Sequence, residues 1–265
     1  MMLLALPLTL AFVFGAVIGS FLNVVSLRFN TGKGLDGRSM CMSCGKTLTW
    51  IELIPIVSFV AQKGKCRKCR SKISWQYPVL EFASGIIFAS IFFAYPPTSA
   101  VAALTTAIYL LESCLLLVIA AYDIKHKIIP DRFSYAFSAI ALASVFVGGS
   151  SWIHAPHLWT LLAGPILALP FALLWAVSKG AWMGFGDAKL TLGIGWLLGL
   201  NGGANAVILA FWIGAAISLI WMFATYGRFK SRLEIPFGPY LILGLYAVLL
   251  FHAQVLDFRL LAGLL

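Results

Sequence analysis

Length, composition and charge narrow the class of protein before any motif is considered. The chain has 265 residues, of which 61% belong to the apolar set AVILMFWYC and 11% are charged, and its mean hydropathy is +0.96. An average soluble domain is about half apolar and roughly a quarter charged, so this composition excludes a water-soluble globular fold and a disordered chain. The formal net charge of +10 is compatible with nucleic-acid binding or with membrane orientation, and the positions of the basic residues distinguish the two.

The apolar residues fall into eight stretches, each near the ~20 residues that a helix needs to cross a bilayer. We predict an all-α polytopic membrane protein with about eight transmembrane helices. In chain order the stretches are Met2–Val25, Tyr77–Tyr95, Val101–Tyr122, Phe133–Gly149, Leu158–Ser178, Ala188–Leu200, Asn205–Thr225 and Phe237–His252. The first has no basic residue before it and no A-x-A site after it, so we expect it to be retained rather than cleaved as a signal peptide.

The basic residues fall almost entirely on one side of this topology. Eighteen of the 19 Lys and Arg residues lie in segments on one side, and only Arg259 lies on the other. Because basic residues concentrate in cytoplasmic loops, we predict that both termini are periplasmic. This asymmetry accounts for the net charge, so we expect a lipid bilayer and no nucleic acid as a partner. The chain then divides into a first transmembrane helix (1–27), a cytoplasmic module (28–76) and a transmembrane core (77–265).

The cytoplasmic module contains four cysteines in two C-x-x-C pairs. The pairs are Cys41 with Cys44 and Cys66 with Cys69, separated by 21 residues. A segment of this size buries little core, and four thiolates at this spacing are typical of a closed tetrahedral zinc site. Disulfide bonds are the alternative, but a cytoplasmic location is reducing and disfavours them. We therefore predict a structural zinc ion that stabilises the module.

Two aspartates lie at the predicted cytoplasmic membrane edge. Asp123 closes the third span, and Asp187 opens the sixth. Two carboxyl groups in a partly dry site can share a proton, which suits peptide hydrolysis because one can activate water while the other polarises the scissile carbonyl. Gly184 and Gly186 leave room beside Asp187 for a substrate backbone. The alternative is that both aspartates are solvated or paired with Lys125 and Lys189.

The motifs occur in an order that resembles one known family. The set comprises Gly15–Arg28 at the exit of the first span, the two C-x-x-C pairs, Tyr77-Pro-Val-Leu-Glu81, Asp123 with Ile129-Pro-Asp131, Gly184–Asp187, and Pro236-Phe-Gly-Pro239. The G-x-G-D element alone is a weak signal. The ordered set covers nearly the whole chain and closely resembles the type IV prepilin peptidases. Within it, the Gly15-x-x-x-Gly19 spacing predicts a close contact between helices.

The resemblance implies a bacterial inner-membrane aspartyl protease of type IV pilus assembly and type II secretion. Such an enzyme cleaves the basic leader of prepilins and pseudopilins at the cytoplasmic membrane face. By motif match, Asp123 and Asp187 take the catalytic positions, and Gly184, Gly186 and Lys189 are supporting residues.

The resemblance also implies a second activity. Many family members N-methylate the new N-terminal residue with S-adenosylmethionine, and those that do so carry a large cytoplasmic loop with four cysteines. Glu81 occupies the position associated with methyl transfer, so we expect it to act on that reaction. Asp131 matches a secondary aspartate to which we assign no catalytic role.

Two alternative functions stay open. One is a peptidase without methyltransferase activity. The other is an ion-coupled transporter that uses Asp123, Asp187 and Glu112 as a relay, for which we would expect internal repeats and acids near the midplane. The sequence contains no such repeat, and the two aspartates lie at one membrane edge. Glu112 lies ~16 Å deeper than Asp123 along the helix, and we interpret it as an interhelical hydrogen-bonding residue.

Overall fold

The regular secondary structure in the described part of the chain is helical. A computed structural model describes residues 2–32, 34–147, 157–226 and 236–257. The α-helices are α1 (Met2–Arg28), α2 (Val57–Ala61), α3 (Gln76–Ala94), α4 (Ala100–His126), α5 (Asp131–Ser144), α6 (Leu158–Ser178), α7 (Phe185–Tyr226) and α8 (Gly238–Phe251), with a 3-10 helix at Trp50–Leu53. Among these residues, β-pairing is limited to two isolated bridges. The predicted all-α membrane architecture is confirmed.

Five of these helices are long and apolar enough to cross a bilayer, namely α1, α3, α4, α6 and α7. The helices α5 and α8 have 14 residues each, which corresponds to about 21 Å and is shorter than the ~30 Å hydrocarbon core. The predicted fourth span therefore ends earlier than expected, at Ser144. Of the basic residues behind the predicted orientation, five lie outside the described residues: Lys33, Arg228, Lys230, Arg232 and Arg259.

The longest helix, α7, contains two of the predicted spans. Its 42 residues would extend about 63 Å if straight, twice the thickness of the hydrocarbon core. At Gly199 the backbone leaves the helical region (φ 70, ψ 178), and a Cβ placed on Gly203 would lie 3.3 Å from the Cα of Gly195. Residues eight apart on one straight helix are ~12 Å apart, so the chain reverses at Gly199. Segments 185–198 and 200–226 correspond to the predicted sixth and seventh spans.

The predicted close contact of the first span is present between α1 and α3. A Cβ on Gly15 would lie 2.7 Å from the Cβ of Phe88, and one on Gly19 would lie 2.8 Å from the Cβ of Ser84. From the opposite side, a Cβ on Gly85 would lie 2.7 Å from the ring of Phe12. Side chains at these positions would separate the two backbones, so glycine permits the close packing.

The largest buried cluster among the described residues joins α4, α5, α6, both segments of α7, and α8. Leu116, Phe137, Leu190 and Leu245 in this cluster are at most 1% exposed. Close packing of such side chains resists relative movement of the helices that carry them. The cluster therefore fixes the position of the end of α4 relative to the beginning of α7.

The module between α1 and α3 has little regular structure. Arg28, at the end of α1, donates hydrogen bonds to the carbonyl oxygens of Gly34 (3.0 Å) and Asp36 (2.9 Å). Lys46 forms an ion pair with Glu52 at 2.8 Å. The hydrogen bond from Lys46, assisted by the Thr49 N–H, lowers the pKa of Glu52 to about 2. Local polar contacts, rather than a large core, shape this segment.

Candidate active site

The two predicted catalytic aspartates lie together at one end of the helical bundle. Asp123 is in the last turn of α4 and is 3% exposed, and Asp187 is in the first turn of α7 and is 8% exposed. Their carboxyl groups are close enough to interact electrostatically. The fold thus brings together two buried acids that are 64 positions apart in the chain.

Gly238, at the beginning of α8, contacts Asp123 directly. Its backbone N–H donates a hydrogen bond of 3.1 Å to Oδ2 of Asp123. The N-terminus of a helix carries a partial positive charge and unpaired N–H groups, so this position favours a carboxylate. A Cβ on Gly238 would lie 2.6 Å from the same oxygen, which explains why the residue is glycine.

Ile129, in the turn between α4 and α5, packs between the two acidic positions. A Cβ on Gly238 would lie 3.2 Å from its Cδ1, and a Cβ on Gly186 would lie 2.7 Å from its Cβ. Ile129 is 7% exposed. It therefore forms an apolar wall that contacts Gly238, whose N–H bonds to Asp123, and Gly186, which precedes Asp187.

Gly184 lies in a more open environment than Gly186. A Cβ at this position would have Oδ2 of Asp187 as one of its nearest atoms, at 4.0 Å. This is an ordinary van der Waals distance, so space exists beside the Asp187 carboxyl group. The prediction that Gly184 leaves room for a substrate backbone is compatible with this geometry.

Lys189 pairs with Asp131 rather than with Asp187. Its Nζ forms an ion pair with Oδ1 of Asp131, and it also lies 5.1 Å and 5.3 Å from the ring centroids of Tyr135 and Phe185. Lys189 is buried, whereas the Asp131 side chain is 66% exposed. The pair joins the beginning of α5 to the beginning of α7. The alternative in which Lys189 neutralises Asp187 does not match this geometry.

Glu81 lies at a different junction, where α1, α3 and the module meet. It is 6% exposed, and its Oε2 accepts a hydrogen bond of 2.7 Å from the N–H of Ile56. Ile56 has φ 61 and ψ −53, and the Val57 N–H bonds to the Pro55 carbonyl oxygen at 2.5 Å. These are the features of a classic γ-turn, which is strained for a β-branched residue. Glu81 thus binds a strained turn of the module.

The four module cysteines form one cluster of sulfur atoms. All four Sγ atoms lie within 4.8 Å of one another, and Sγ of Cys41 lies 3.8 Å from Sγ of Cys69. Tetrahedral zinc with Zn–S bonds of ~2.3 Å requires sulfur atoms about 3.8 Å apart, whereas a disulfide requires about 2.05 Å. The four thiols are free. The cluster can hold a metal ion, and its sulfur donors suit zinc.

The local environment lowers the pKa of two of these thiols and raises the pKa of a third. Backbone N–H groups of Cys44 and Ser43 lower the pKa of Cys41 to about 6, and the Ser71 hydroxyl lowers that of Cys69. The Lys46 N–H acts to lower the pKa of Cys44, but desolvation and the neighbouring thiols outweigh it and raise that pKa to about 11. Four thiolates cannot accumulate so close together without a compensating cation, so full deprotonation requires metal binding.

Several contact residues of these sites had no predicted role. Gly238 and Ile129 belong to motifs recognised in the sequence but had no predicted role of their own, and Ile56 belongs to none of these motifs. Proline-flanked turns provided a signal for the first two, since Pro236-Phe-Gly-Pro239 and Ile129-Pro-Asp131 both mark chain turns. No local signal identifies Ile56 as the partner of Glu81.

Comparison with known proteins identifies the family. Residues 13–95 match the bacterial peptidase A24 N-terminal domain, and residues 110–219 match the type IV leader peptidase family. The chain is 31% identical over 253 residues to the prepilin leader peptidase/N-methyltransferase of Bacillus subtilis (strain 168), covering 95% of this chain and 97% of the relative. The chain belongs to the type IV leader peptidase family.

Two further relatives with the same name show similar coverage. That of Burkholderia pseudomallei (strain K96243) is 31% identical over 274 residues, covering 93% of this chain and 86% of the relative. That of Xanthomonas campestris pv. campestris is 28% identical over 275 residues, covering 92% of this chain and 91% of the relative. No solved structure matches the chain significantly.

Proposed function

We propose that this chain is a membrane-embedded aspartyl endopeptidase that cleaves the leader of type IV prepilins and pseudopilins and then N-methylates the new N-terminal residue. Relatives that match almost the entire chain are named prepilin leader peptidase/N-methyltransferases. The observation that carries the catalytic assignment is the convergence of two buried carboxyl groups, Asp123 and Asp187, from separate helices.

Peptide hydrolysis follows from two carboxyl groups that share one proton. The ionised carboxyl group takes a proton from a water molecule, whose oxygen attacks the scissile carbonyl carbon, while the protonated group polarises the carbonyl oxygen. The amine then leaves with a proton from the pair. The N–H of Gly238 holds Oδ2 of Asp123 at 3.1 Å, so this carboxyl group is already oriented before substrate binds.

The proposed orientation places the aspartate pair at the cytoplasmic face of a bacterial inner membrane, with both termini in the periplasm. Its support is the distribution of basic residues along the chain. The apolar helix of the substrate would enter laterally among the spans and present the bond that precedes it to the two aspartates. Because the cytoplasmic side is rich in basic residues, we expect a basic leader to be bound through local acids or backbone contacts.

Each part of the chain then has its own role. The first transmembrane helix (1–27) packs on the core, the transmembrane core (77–265) carries proteolysis, and zinc bound by Cys41, Cys44, Cys66 and Cys69 stabilises the module (28–76). S-adenosylmethionine would supply the methyl group for the second reaction. The buried carboxylate of Glu81 would orient or deprotonate the α-amine, and its bond to the Ile56 N–H links this residue to the module.

The direct test is incubation of the purified full-length protein with a prepilin, with and without S-adenosylmethionine, followed by mass spectrometry. We expect leader removal under both conditions and the added mass of one methyl group only with the methyl donor. Cleavage without methylation would leave the peptidase-only alternative. An absence of cleavage, together with ion flux in liposomes, would favour the transporter.

A further inference from the structure

A groove lies between the module and the beginning of α3, and neither catalytic aspartate lines it. Its volume is about 700 Å³, and its walls come from α2, from residues that flank the second cysteine pair and from the beginning of α3. The walls are mainly apolar and include Phe59, Val60, Trp75 and Val79. The rings of Phe59 and Trp75 are in contact, with their centroids 5.0 Å apart.

The only charged residues lining this groove are three exposed lysines, Lys63, Lys65 and Lys72. Within the described residues, none of the three forms an ion pair. Lys65 and Lys72 face each other as an isolated antiparallel bridge pair. Like charges directly opposite each other in such a pair are destabilising. An anion bound between these two lysines would remove the repulsion.

The apolar wall of the groove continues onto the outer face of α3. Trp75, Val79 and Phe82 are 73%, 60% and 51% exposed, and α3 is one of the helices that can cross the bilayer. The groove lies where this helix begins. Exposed tryptophan beside lysine is typical of the boundary between lipid headgroups and acyl chains.

We propose that this groove binds one anionic phospholipid. The headgroup phosphate lies between Lys65 and Lys72 with Lys63 nearby, and an acyl chain follows Val79 and Phe82 along α3. The combination of three lysines that form no ion pair with the described residues and a continuous apolar wall matches a ligand with an anionic head and an apolar tail. A free phosphate could contact the lysines but would leave the apolar wall unoccupied. The proposal does not rest on the peptidase or methyltransferase assignments, although Ile56, whose N–H bonds to Glu81, also lines the groove.

The test uses the full-length protein in nanodiscs of phosphatidylcholine with a minor fraction of phosphatidylglycerol. Native mass spectrometry of the released protein counts the retained phosphatidylglycerol. We expect the double variant K65Q/K72Q to bind it about 25-fold more weakly, since each lysine near the headgroups contributes about fivefold. The single variant K63Q should lose about fivefold.

The matched control is R38Q/K68Q, which removes two exposed cations of the module that do not line the groove. It should retain phosphatidylglycerol like the unmodified protein, and equal zinc content in all variants would confirm an intact module. Equal losses in both double variants would overturn the proposal in favour of general charge attraction. Unchanged retention in K65Q/K72Q would also overturn it, as would displacement of the lipid by inorganic phosphate alone.

Discussion

Substituting Gly238→Ala tests the geometry around Asp123. The new Cβ would lie 2.6 Å from Oδ2 of Asp123, whereas ordinary contacts begin at about 3.4 Å. The carboxyl group or the beginning of α8 must therefore move by about 0.8 Å. Cδ1 of Ile129 lies 3.2 Å from the same Cβ, so the new methyl group has little room to move away from Asp123. Because misplacement of a catalytic group by ~1 Å can cost about 100-fold in rate, we expect kcat for prepilin cleavage to fall by roughly that factor.

The assay is cleavage of a prepilin by the purified full-length variant, with kcat and KM determined separately. Gly34→Ala is the control, because its nearest neighbour would lie at 3.6 Å and the substitution should leave the rate unchanged. Methylation of an already cleaved pilin provides an internal check that the G238A protein is folded. If G238A cleaves at the rate of the unmodified protein, the proposed role of Asp123 and its bond to Gly238 is wrong.

Four other changes test separate parts of the molecule. Glu81→Gln should retain cleavage and lose most methylation, measured as the fraction of product with the added methyl mass. Cys66→Ser removes one of four sulfur donors, so metal content should fall and limited proteolysis should cut the module faster. Glu52 has its pKa lowered from 4.5 to about 2, mainly by Lys46, so its contribution to stability is complete above pH 4.5 and is lost as pH falls through 2. Thermal unfolding of Glu52→Gln should therefore lack that part of the pH dependence. Gly19→Leu should destabilise the α1–α3 contact by at least ~1–3 kcal/mol, seen as a lower unfolding temperature.

Hydropathy and charge were sufficient to predict a helical membrane protein, and the ends of the apolar stretches predicted that Asp123 and Asp187 lie at helix ends. Both signals depend on the energy of burying residues in a bilayer, which is additive along the chain. The reversal in α7 lies beside the predicted break between Leu200 and Asn205, where Asn201, Gly202 and Gly203 interrupt the apolar residues. The chain turns at Gly199, where φ is 70, a conformation that glycine adopts readily.

The contacts around the candidate sites were less predictable than the sites themselves. Lys189 is two positions from Asp187 in the sequence, yet it pairs with Asp131. Asp131 comes close to Lys189 only when α5 packs on α7. The bond from Ile56 to Glu81 likewise depends on how the module folds onto α3. Such pairings are determined by tertiary packing, and a single sequence carries no local pattern for them.

The central claim is that Asp123 and Asp187 act as one catalytic unit, and the most direct measurement is the cleavage rate of Asp123→Asn, Asp187→Asn and the double variant. We expect each single variant to lose ~100- to 10,000-fold in rate, and the double variant to be no slower than the slower single variant. Asp36→Asn, in the exposed part of the module, should cleave normally. If either single variant cleaves prepilin at the rate of the unmodified protein, the aspartyl mechanism is contradicted.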